Sequence, residues 1–141
     1  MNGSRTRVIR KGNNMAFGDF GGPVTSLIIT CRAADNNGTV AIKKGDALKL
    51  VDNYTVTNVL ADGDAVFGEA LEDCAEAGAA LAVRVGGICT FSFTGEGFGP
   101  DGFSGVVGSS EAGKVRPGTE RNARGLIVRT RNSIKSLEVL L

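Results

Sequence analysis

The chain has 141 residues, of which 42% are hydrophobic and 22% charged, with a formal net charge of +1. That is one domain's worth of sequence, with apolar content enough for a core and no signature of disorder. There is no His and no Trp, which removes Ser-His-Asp and Cys-His nucleophiles, His-ligated zinc and imidazole acid–base chemistry, and near-neutrality speaks against a dedicated nucleic-acid binder.

Residues 1–24 begin with Arg5, Arg7, Arg10 and Lys11 but no apolar run follows them, so no secretory signal is expected. No window reaches the roughly 18–20 apolar residues of a membrane span. Sequons at Asn2, Asn37 and Asn53 carry little weight without secretion. Glycine and asparagine density, Pro23 and an excess of four bases over one acid fit two readings, a frayed terminus and an extended N-terminal arm that orders on a partner. Its anchors would be Val8, Ile9, Met15, Phe17 and Phe20, and the run Arg5-Thr-Arg-Val-Ile-Arg10 could add a strand to a partner's sheet edge.

From residue 25 onward, strand signals recur every eight to twelve residues, the spacing of a sandwich or barrel. The expected strands are 25–30, 39–42, 47–51, 55–60, 65–70, 80–85, 88–94, 126–130 and 136–141. Ala80-Leu-Ala-Val-Arg-Val85 and Ile88-Cys-Thr-Phe-Ser-Phe93 alternate with period two, so one set of side chains faces a core. Asn37-Gly38, Asp62-Gly63-Asp64 and Gly86-Gly87 are turn sequences. Glu69–Leu81 is the best helical stretch, but Gly78 interrupts it and allows no more than a short turn. The 21 glycines fit this reading, an all-β fold: a small antiparallel β-barrel or sandwich, expected as a meander, over residues 25–141.

Residues 95–125 look like a Gly-rich loop outside the barrel core, with the insertion centred on 95–118. Gly97-Phe-Gly-Pro-Asp-Gly102 matches G-x-G-x-x-G, yet no strand–helix context surrounds it. Gly108-Ser-Ser-Glu-Ala-Gly-Lys114 matches the start of a P-loop, but Val115 stands where a hydroxyl should ligate magnesium, and Pro117 opposes the helix that would hold phosphate. The carboxylates Asp62/Asp64 and Glu72/Asp73/Glu76 read as solvated turns lacking calcium-loop spacing. No catalytic residue, metal or cofactor is expected.

Cys31, Cys74 and Cys89 are odd in number and widely spaced. A partial disulfide and small apolar strand residues are the competing readings, and strand context favours the second for Cys31 and Cys89. Charge is segregated along the chain. Residues 62–76 hold six acids and no base, whereas 111–141 hold seven bases and three acids, a distribution that suits docking of one copy against another or onto a charged protein surface.

An ordered set of short motifs completes the picture: Lys44-Gly-Asp-Ala-Leu-Lys-Leu-Val51, Gly63-Asp-Ala-Val-Phe-Gly-Glu-Ala-Leu71, Leu81-Ala-Val-Arg-Val-Gly-Gly-Ile88, Gly113-Lys-Val-Arg-Pro-Gly118 and Leu137-Glu-Val-Leu-Leu141. This pattern, over residues 40–141, resembles the small β-barrel capsid decoration (cement) proteins of tailed bacteriophages. Ala47 departs from the Val often found there, and residues 1–24 and 95–110 do not align. The resemblance implies a virion protein without catalysis, made in the host bacterial cytoplasm. It would sit on the capsid exterior as a homotrimer at three-fold and quasi-three-fold sites, bind the major capsid protein and stabilise the expanded head, with no direct nucleic-acid or membrane partner. Candidate capsid-binding residues are then Arg5, Arg7, Val8, Ile9, Arg10, Phe17 and Phe20 in the arm. Candidate trimer or capsid contacts are Phe98, Phe103, Arg116, Arg121 and Arg124. A tail- or fibre-associated β domain, or a carbohydrate or small-ligand module using Tyr54, Phe98 and Phe103 as a platform, are the alternatives.

Overall fold

The computed structural model describes residues 25–35 and 41–141. The arm, the Asn37-Gly38 turn and the first half of the expected strand 39–42 lie outside the described residues; Ile42 forms an isolated bridge with Cys74. The fold is all-β, with no helix among the described residues.

Ten strands follow in order: β1 (Leu27–Ala33), β2 (Ala47–Asp52), β3 (Thr55–Thr57), β4 (Gly68–Ala70), β5 (Ala80–Gly86), β6 (Ile88–Ser92), β7 (Gly105–Gly108), β8 (Val115–Gly118), β9 (Leu126–Arg131) and β10 (Ser136–Leu140). The first five close a barrel in the order β1-β3-β2-β4-β5. This is not the expected antiparallel meander. β1 and β3 run parallel through Arg32↔Thr55 and Ala33↔Val56, because β2–β3 is a hairpin inserted between β1 and β4. Cys31, Ala33, Ile42, Leu48, Val56, Ala70, Leu81 and Val83 fill the interior. Several of these are small, as the narrow bore of a five-stranded barrel requires.

The other five strands enclose a second core of Cys89, Phe91, Phe93, Val106, Val115, Ile127, Leu137 and Val139, to which the barrel contributes Ala47, Leu60 and Val66. β6, β10 and β9 form one antiparallel sheet and β7–β8 a hairpin. Isolated bridges join the hairpin to the rest at Phe93↔Val115 and Val106↔Arg124. Alternation produces this wall: Cys89, Phe91, Leu137 and Val139 are buried, while Thr90, Ser92 and Leu140 are exposed. Only Gly87, with φ of 97°, separates β5 from β6, a conformation that costs glycine little.

The expectation that 95–125 lies outside the core is corrected. Residues 105–108 and 115–118 are strands, and Val106, Val107 and Val115 are wholly buried. The P-loop-like run 108–114 is the reversal between them, closed by Ser109 N–H donating to the Lys114 carbonyl at 3.1 Å. That reversal is stapled to the barrel. Gly113 N–H donates to the Asn58 carbonyl and Ala47 N–H to the Gly113 carbonyl, both at 2.8 Å. A side chain at Gly113 would come within 2.4 Å of the Asp46 carboxylate, so contact there requires glycine. The Glu69–Leu81 stretch holds β4, turns and the start of β5 in place of any helical turn.

Candidate interaction surfaces

An apolar groove of about 660 Å³ lies on the barrel, between the first half of β1 and the β2–β3 hairpin. Ile29, Phe67 and Val85 line its half-buried part, and Leu27, Leu50, Val51 and Tyr54 its exposed part. Tyr54 is 67% exposed and has a φ of 47°. A bulky residue held in the left-handed region marks a site worth functional scrutiny. Sequence reasoning missed this surface except for Tyr54. The available signal was the apolar pair Leu50-Val51 running straight into the polar turn Asp52-Asn53.

A second exposed apolar set stands on the other half of the molecule. Phe98, Phe103 and Ile134 are 44%, 70% and 64% exposed. The 95–103 loop that carries the two phenylalanines is tied down: Lys135 Nζ donates to the Gly95 carbonyl at 2.8 Å. The Ser104 hydroxyl and the Phe103 and Ser104 amides donate to Asp101 and hold its carboxyl below the ordinary range. The Tyr54 groove includes neither Phe98 nor Phe103, so these three aromatics do not line one shared platform.

The arginines expected at contacts have different fates. Arg121 is exposed on the turn before β9. Arg116 pairs with Asp62 at 2.7 Å and with Glu120. Arg124 turns inward: Nη1 donates to the Val66 carbonyl at 3.3 Å and to that of Phe67, and Nη2 to that of Val85 at 2.6 Å. It clasps the barrel to the second half and is committed to backbone carbonyls of its own chain. The seven arm residues lie outside the described residues.

The acidic run is also absorbed internally. Asp62 meets Arg116, Asp64 meets Lys49 at 2.7 Å, and Glu69 meets Arg84 at 3.0 Å. Glu72 accepts from Ala82 N–H and Asp73 from Lys44 N–H. Lys49 and the Ala61 amide hold the Asp64 carboxyl below its usual range. The expected opposite-signed faces are thus partly spent on intramolecular pairing.

Between the two halves, a polar hollow of about 400 Å³ is lined by Lys44, Asp46, Glu69, Thr90, Ser92, Lys114 and Ser136 among others. Glu69 is the buried charged residue in its lining. Desolvation raises its carboxyl above the ordinary range in spite of Arg84 and the Thr90 amide. Behind it the buried thiol of Cys89 is pushed up to about 12, first by burial and then by the Glu69 charge. All three cysteines are free, with Cys31 and Cys89 buried and Cys74 half-buried; the reading of Cys31 and Cys89 as small apolar strand residues describes them.

No family model matches this chain, and neither does any curated protein sequence.

Proposed function

We propose that this protein decorates the outer surface of a tailed-phage head, attaching as a homotrimer over junctions of the major capsid protein and stabilising the expanded shell. The observation that carries the reading is where the motifs of the resemblance fall. Gly45-Asp46 turns the chain into β2, Gly68-Glu-Ala70 is β4, Leu81–Gly86 lies in β5, Val115–Gly118 is β8 and Leu137–Leu140 lies in β10. Short glycine-bounded motifs are weak singly, but their falling in chain order on β2, β4, β5, β8 and β10 of one all-β body supports a shared scaffold.

Two further features support it. Exposed apolar side chains stand on both halves of the molecule, as suits a body touching more than one neighbour. The halves are locked together by the Gly113 staple and the Arg124 clasp, so the body is built to transmit load between its contacts. Trimerisation would add modest contacts into firm attachment through effective concentration.

The test is to add purified protein to expanded heads of the encoding phage assembled without it, followed by sedimentation and electron microscopy. Protrusions at three-fold positions, present only with the protein, are expected. Failure to co-sediment, or density confined to tails or fibres, overturns the proposal.

A further inference from the structure

The two exposed apolar surfaces differ in shape as well as in place. The groove on the barrel is concave, with Leu27, Leu50, Val51 and Tyr54 between 44% and 67% exposed along it. The 95–103 loop and the β9–β10 turn carry Phe98, Phe103 and Ile134 outward on the other half. This projection is fixed before any partner arrives. The Gly97 backbone packs on the Phe93 ring and the Asn132 side chain, and Gly99 lies against Ile127. Lys135 ties the Gly95 end of the loop, and the Ile127 amide donates to the Ser104 carbonyl at 2.9 Å beyond its other end. Aromatic side chains presented on a pre-ordered loop lose little freedom when a partner covers them, and such side chains commonly anchor interfaces.

We propose that the occupant of the groove is a second copy of this chain, whose Phe98, Phe103 and Ile134 seat against Leu27, Leu50, Val51 and Tyr54. The inference rests on the homotrimer reading and gives it an interface. In a closed ring of three, each copy shows one surface to the neighbour on one side and a different surface to the neighbour on the other. A groove meeting a groove would build a two-fold pair instead. This chain has the required two surfaces, one hollow and one projecting, on separate halves that the Gly113 staple and the Arg124 clasp hold together.

Size agrees. The groove lies within the range of about 300–1,000 Å³ that encloses a drug-sized molecule, so it has room for more than one ring. At about 150–250 Å² for a large side chain, the exposed residues leave roughly 400 Å² of apolar surface on each side. A standard interface takes about 800 Å² from each partner, a little over half of it apolar. The two surfaces therefore match each other and meet that requirement. Charge does not oppose the contact. The groove lining holds one acid, Asp52. The projection holds the bases Arg131 and Lys135 and the acids Glu96 and Asp101, the last taken up by the Phe103 and Ser104 amides.

Sedimentation velocity of the full chain over a range of concentrations tests the contact. The parent should sediment as a trimer. Leu50→Glu in the groove and Phe103→Glu on the projection should each weaken self-association at least about thirtyfold, the loss of one anchor per interface. Both positions are exposed, so circular dichroism should report an unchanged fold, and Val51→Glu serves as a second groove variant. Mixing Leu50→Glu with Phe103→Glu should produce dimers of one copy of each, because one intact groove and one intact projection remain in that pair. Tyr54 is the sole tyrosine and there is no Trp, so fluorescence reports the groove directly. Acrylamide should quench Tyr54 several-fold less in the parent trimer than in Phe103→Glu, although that substitution lies on the other half. A trimer that survives the groove and projection variants overturns the inference and leaves the homotrimer reading standing. Dissociation by Leu50→Glu but not by Phe103→Glu overturns it in favour of groove-to-groove pairing, and a parent that stays monomeric overturns both. A trimer built by this contact that fails to bind phage heads overturns the capsid reading alone.

Discussion

Replacing Arg124 by Met keeps the length and apolar stem of the side chain and removes only its guanidinium. The structure gives that group two strong bonds, to the Phe67 and Val85 carbonyls, and a longer one of 3.3 Å to Val66. A hydrogen bond from a charged donor contributes about 1.5–3 kcal/mol net. Arg124 is half-buried, so the lower end applies, and two such bonds come to about 3 kcal/mol. Against a total of about 5–15 kcal/mol this is a large loss, and for a chain of this size it lowers the thermal midpoint by about 10 °C. Differential scanning calorimetry measures it, with Arg121→Met as the exposed control expected to shift by less than about 2 °C. The two substitutions also separate roles on the phage head. A contact residue loses attachment with its stability intact, whereas a clasp loses stability first. A midpoint for Arg124→Met equal to that of the control would refute the clasp.

Glu69 should give stability an unusual pH dependence. Its folded-state pKa is raised by burial, so its contribution is fully present below about pH 4.3, the unfolded value, and is lost as pH rises through the folded value. Glu69→Gln lacks that loss, and its midpoint relative to the parent should climb between about pH 4 and 7; a constant difference across melting curves in that range contradicts the mechanism. Removing Val139–Leu141 deletes a buried side chain, the pairing of Val139 with Cys89 and of Leu140 with Ile88, and the two backbone bonds between Leu141 and Gly87. Chemical denaturation should show a loss of at least about 3 kcal/mol, and an unchanged midpoint would show the strand to be dispensable. With a colorimetric disulfide reagent at pH 8, the native protein should react rapidly at Cys74 alone. Cys31 and Cys89 should react only on unfolding, because burial raises both thiols; three rapid equivalents would contradict their burial.

What the sequence determined by itself was the class and much of the walls. Period-two alternation in 80–85 and 88–93 requires an extended chain with one apolar face, and those stretches became β5 and β6; the strand expected at 136–141 became β10. Sequence reading failed where local pattern carries no such information. β7 and β8 are four residues each and nearly buried throughout, so they show no alternation, and their glycines read as loop. Topology was equally out of reach: that β1 lies parallel to β3, leaving an edge beside a groove, follows from barrel closure and not from any turn. The fate of Arg124 belongs to tertiary structure as well. The carbonyls it binds lie 58, 57 and 39 residues away, and only folding gathers them around one guanidinium, whose unpaired burial would otherwise cost too much to keep it inside.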